Sequence, residues 1–175
     1  MEKIKGLNSS LKVKVLSFMS DEQEKLKKLA KMHSEKLAQL GKELGEIQFS
    51  YKIEKNPSKE YWQNRINDFK KYNEIGMKYY NQVYSLMNLV NKEESQIFLL
   101  STSKFHQLGV TLIEIMEKIK ENPSIVDSKD KQQSQWSREI RVQITEYGNK
   151  CLRLEMDINT SFREFYEKQL KKILE

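Results

Sequence analysis

The sequence predicts an all-α protein: an elongated antiparallel bundle of three long helices, its narrow apolar faces completed by dimerisation. Three observations carry that prediction. Only two prolines interrupt 175 residues, at Pro57 and Pro123. Apolar side chains recur every three to four positions across the long spans between them, the signature of amphipathic helix. The composition is 38 % apolar and 32 % charged, poorer in core and richer in charge than an average globular domain. That balance suits thin helical rods and argues against a β-sandwich. With 10 % aromatic residues in a regular pattern, it also argues against a disordered chain.

Asn56-Pro57-Ser58 and Asn122-Pro123-Ser124 are turn-forming clusters, since the residue before a proline is steered away from helix. They divide residues 20–175 into helices over about 21–54, 59–121 and 129–174. In the first, Leu26, Leu29, His33, Leu37, Leu40, Leu44, Ile47 and Tyr51 form one stripe, with Ser20 as N-cap and Gln23 closing a capping box. In the second, the stripe runs from Trp62, Ile66, Phe69, Gly76, Tyr80, Val83, Met87 and Val90 through Ile97 to Phe105, Leu108, Leu112, Ile115 and Ile119, and is weak around Glu93 and Glu94. In the third, Trp136, Ile140, Ile144, Tyr147, Cys151, Leu154, Ile158, Phe162, Phe165 and Ile173 repeat the pattern behind a cap at Asp127 or Ser128. A middle helix of about 60 residues would reach about 90 Å. Gly76, Gly109 and Gly148 fall inside these helices, as tolerated substitutions or sites of close helix contact, or as bends.

The net charge of +6 is concentrated in the first third, where residues 1–57 carry 12 basic and 8 acidic side chains. Elsewhere the signs alternate as on a solvated helix surface, and no basic stripe calls for nucleic acid. The single cysteine, Cys151, excludes an internal disulfide framework and suits a reducing compartment. With neither a secretory signal nor a membrane-spanning run in the pattern, a cytoplasmic protein is expected, peripheral on endosomal or other intracellular membranes.

Chemistry is hard to assemble from these residues, and no enzyme, cofactor or metal is expected. His33 and His106 stand in different blocks, and neither has a glutamate three residues before it, as a helical carboxylate-bridged metal pair would need. Cys151 reads as a small buried hydrophobe. Tyr80 fits the buried stripe, while Tyr72, Tyr79 and Tyr84 flank it as amphipathic boundary residues.

Residues 1–19 form a basic amphipathic segment. Ile4, Leu7, Leu11, Val15 and Phe18 repeat at spacings of 4 and 3, with Lys3, Lys5, Lys12 and Lys14 around them. Such a segment suits the interface of an anionic membrane; it suits equally well packing on the bundle, or linkage to a preceding domain.

Three long helices, proline-marked turns, interior bend candidates and a basic amphipathic leader together resemble a BAR domain, closest to the sorting-nexin type. The last-helix pattern of that family is similar to Trp136, Ile140, Ile144, Phe162, Phe165 and Lys171, closing in Leu174-Glu175, although the family's helix runs further. The resemblance implies a dimer whose curved surface meets anionic membranes, with tip contacts near Lys118, Lys120, Lys129 and Lys131. Glu117, Glu121, Asp127 and Asp130 largely cancel that tip, which leaves Lys3, Ile4, Lys5, Leu7, Leu11, Lys12, Lys14 and Phe18 as the better membrane-binding candidates. A second segment, Gly76-Met77-Lys78-Tyr79-Tyr80-Asn81 with Ser95 and Ile97, is similar to the V-shaped helical domain of ALIX-type endosomal adaptors, which bind peptide motifs and ubiquitin. The expected function is therefore a non-enzymatic dimeric scaffold at anionic intracellular membranes in trafficking, with a homodimer or a related helical partner. The alternative is a protein-interaction adaptor or coiled-coil assembly subunit without lipid affinity.

Overall fold

A computed structural model describes residues 9–47, 53–54, 57–126 and 135–175. The described residues are helical throughout apart from the short joints, and four helices pack on one another: α1 (Ser9–Gly45), α2 (Lys59–Val90), α3 (Lys92–Glu121) and α4 (Gln135–Phe165). The α4 helix continues through a π-helical turn, Tyr166–Leu170, into a last short piece, α5 (Lys171–Leu174). α1 lies on α2, α2 on α3 and α3 on α4, and α5 returns to α1.

The expected third of the bundle at 59–121 is two helices. Asn91 leaves the helical region (φ −142°, ψ 99°) and serves both neighbours: its backbone N–H bonds Met87 O at 2.7 Å, closing α2, while its side-chain oxygen accepts from the Glu94 N–H at 3.1 Å, capping α3. Glu93 and Glu94 occupy the first turn of α3, where carboxylates favour the positive end of the helix dipole. The chain then folds straight back. Ser95 Oγ donates to Asn88 Oδ1 at 3.2 Å, Tyr80 stands edge-on to Phe98 and Phe105 at 6.0 and 5.9 Å, and Lys70 reaches Glu117 at 3.3 Å. At 1.5 Å per residue, the expected rod of 60 residues becomes a hairpin of two arms, each about 45 Å long.

The other boundaries are adjusted less. Ser20, expected as an N-cap, lies inside α1, which begins at Ser9 and ends at Gly45, well before 54. Ser58 caps α2 as a turn residue should, its Oγ accepting from the Tyr61 N–H at 3.1 Å. The caps expected at Asp127 or Ser128 lie outside the described residues.

The core runs along the hairpin. Trp62, Ile66, Phe69, Val83, Leu86 and Met87 from α2 meet Phe98, Phe105, Leu112, Ile115, Met116 and Ile119 from α3, all buried. α4 adds Ile140, Ile144, Cys151, Ile158 and Phe165, and α1 adds Ala30, Leu37 and Leu40. Phe165 and Leu170 are both buried though five residues apart, a spacing that the wider π turn brings onto one face.

Candidate interaction surface

Two residues placed on the buried stripes by their spacing face solvent. Ile97 is 59 % exposed, because the register of α3 gives the inward position to its neighbour Phe98. Leu29 is 41 % exposed, because it lies near the end of the bundle, where none of the described residues covers that side of α1.

α1 runs out beyond the other helices. The Lys27 ammonium donates to the Glu175 carbonyl at 3.1 Å, so the end of the α4 helix stands level with that point. From Phe18 on, Ala30 is the first buried residue of α1, and residues 18–25 are all exposed. The projecting part carries Phe18 at 62 % exposure and Met19 at 47 %, and Met32, at 53 %, continues the face beside Leu29. Lys25, Lys28, Lys31 and Glu35 border it. A second uncovered group, Val142, Leu152 and Met156, lies on the outer side of α4. Of these residues the sequence reading singled out Phe18 alone as a contact. Met32 and the outer residues of α4 fall off the strongest stripe, and the signal for them was a second, sparser apolar line on the same helix.

The membrane-binding candidates are distributed unevenly. Lys3, Ile4, Lys5 and Leu7 lie outside the described residues, and Leu11, Lys12 and Lys14 fall on the opening turns of α1, where the backbone alone is described. Of the tip candidates, Lys129 and Lys131 lie outside the described residues, while Lys118 is exposed at the end of α3. Lys120 is engaged within the fold, bonded to Glu117 at 2.5 Å and to Gln63 at 3.2 Å. That bond, with Lys70 on the other side, holds the Glu117 carboxyl below its ordinary range.

The titratable groups of the interior behave as packing residues. Burial pushes the Cys151 thiol up to about 11 and the Tyr80 phenol up to about 12, the latter helped by Tyr79. His33 is half-buried between α1 and α2 and bonds Gln82 through Nδ1; burial first, and the Lys36 charge second, hold its imidazole below the ordinary 6.5. Asn73 is a buried amide with Nδ2 3.3 Å from His106 Nδ1 and no partner for Oδ1. Gly109 allows it that place, since a Cβ there would stand 3.1 Å from Asn73 Oδ1. This is the close helix contact expected at one of the three interior glycines; at Gly76 and Gly148 a Cβ would meet nothing within 4 Å.

Among the described residues, no group of three or more His, Cys, Asp or Glu could hold a metal ion, and no helix is long and apolar enough to cross a membrane. Compared with protein-family models, curated proteins and solved structures, the chain matches none of them.

Proposed function

We propose that the protein is a non-enzymatic helical scaffold that works as a homodimer, one copy lending a helical surface to the other. The observation that carries this reading is the projecting half of α1. An isolated single helix is marginal in water and takes most of its stability from packing an apolar face, yet here Phe18, Met19, Leu29 and Met32 are exposed, with no cover among the described residues. A second helical surface would supply it. Sedimentation velocity of the full chain tests the reading: a species of twice 20.9 kDa is expected, and a monomer at every concentration overturns it.

Association with anionic membranes is the second reading, and one observation favours it. α1 is already helical at Ser9, so Leu11, Val15 and Phe18, spaced 4 and 3 apart, belong to one helix with Lys12 and Lys14. Co-sedimentation with vesicles of phosphatidylcholine and phosphatidylserine is the test. Binding that is lost when Lys3, Lys5, Lys12 and Lys14 are changed to glutamate supports it; an absence of binding, or binding indifferent to those changes, removes it. Both readings keep the dimeric-scaffold part of the BAR-type expectation; the long middle helix that went with it is divided at Asn91 into α2 and α3.

A further inference from the structure

On the exposed side of α1, Phe18, Glu22, Lys25, Leu29 and Met32 follow at spacings of 4, 3, 4 and 3, the repeat of a coiled-coil seam. All five are exposed. Two charged residues in the middle of such a seam would weaken a parallel pair, where Glu22 meets Glu22 and Lys25 meets Lys25 across the interface. Turned head to tail, the same face becomes self-complementary. With the two-fold axis between positions 23 and 24, Phe18 stands opposite the partner's Leu29, and Glu22 opposite the partner's Lys25. On the flanks, Asp21 meets the partner's Lys28 and Met19 meets the partner's Leu26. Symmetry makes every pair occur twice, as an isologous interface requires. A slip of one heptad in either direction sets Glu22 against an apolar residue, Met32 or Phe18, so the pattern selects one register.

We propose that two copies of the chain dimerise through an antiparallel pair of α1 helices in this register, each projecting half lying along the bundled half of the other. This rests on the homodimer reading above and adds its surface, direction and register. The overlap runs over positions 9–38, about 45 Å of helix. Burial of Phe18 and Leu29 supplies affinity, whereas exposed ion pairs contribute little of it and fix orientation instead. The outer row of α4 offers no comparable match: Val142, Leu152 and Met156 alternate with Thr145, Asn149 and Asn159, which distinguish no direction.

Sedimentation equilibrium on the full chain and its variants tests the proposal, with circular dichroism confirming that each variant keeps its helix. Phe18→Asp should weaken the dimer at least a hundredfold. Glu22→Lys and Lys25→Glu should each weaken it roughly tenfold, and the double swap should restore the wild-type constant, as only the head-to-tail arrangement requires. In a parallel pair the swaps would exchange one like-charge contact for another and change little. A dimer indifferent to Phe18→Asp, or a double swap that fails to recover, overturns the α1 interface while leaving the homodimer standing. A chain that stays monomeric overturns both.

Discussion

The α2–α3 hairpin and the projecting half of α1 are built from the same kind of amphipathic helix, yet one is covered and the other is not. Along the hairpin the apolar face of α2 is covered by α3: Tyr80 stands edge-on to both Phe98 and Phe105, and Trp62, Ile66 and Phe69 are buried. In α1, Phe18, Met19 and Leu29 stand exposed, with no second layer among the described residues. The difference teaches that amphipathic spacing states that a face must be covered without stating by what. Along the hairpin the cover is the neighbouring helix; at the projection none of the described residues supplies one.

That contrast can be broken or sharpened by measurement. The largest effect is expected in the hairpin: Phe105→Ala, at a buried position, should cost about 3–5 kcal/mol in urea unfolding, and a cost below about 1 kcal/mol would mean the aromatic cluster is not the core. Asn91→Ala removes the acceptor that caps α3 and should cost about 1 kcal/mol by the same measurement. Gly148→Ala should move stability the other way, by roughly 0.5–1 kcal/mol, because a Cβ there meets nothing within 4 Å; a loss of stability would show that α4 packs more tightly on that side. A smaller effect depends on pH. The folded state holds the His33 imidazole below 6.5, so on acidification the unfolded chain takes up its proton first, and stability falls as pH drops from 6.5 to the folded value. Thermal melts across that range should show the decline, and His33→Gln should flatten it. Least affected is the projection: Phe18→Ser should leave the unfolding free energy of the dilute monomer within about 0.5 kcal/mol. A larger loss would place Phe18 in a packed environment and erase the contrast.

Much of this was legible in the residues themselves. The stripe of α4, from Ile140 through Cys151 and Ile158 to Phe165, is buried as its spacing indicates, and Tyr72, Tyr79 and Tyr84 are half-buried at its counterpart on α2. The fold-back at Asn91 was hidden by a coincidence of phase. Met87 and Phe98 are 11 residues apart, which at 3.6 residues per turn comes within about 20° of three full turns, so the apolar stripe continues across the break as though nothing happened. The weakness at Glu93 and Glu94 was the surviving trace, two carboxylates opening a new helix. Leu29 and Ile97 misled for other reasons: periodicity is blind to whether a neighbour extends as far as Leu29, and the new helix begun at Lys92 sets a register that turns Phe98 inward in place of Ile97. The self-complementary charges on α1 are local enough to be found in sequence, but gain meaning only once that side of the helix is known to be bare.

The joint at Asn91 also governs how the molecule comes together. A connection of one residue leaves almost no loop to close, and closing a loop is an entropic cost that rises with its length. Contacts such as Asn88 with Ser95 lie only seven positions apart along the chain, and those farther up the hairpin become local as each earlier pair forms. Low contact order of this kind speeds folding. The two middle helices are therefore expected to zip from their shared corner outward and to stand as the platform on which α1 and α4 settle.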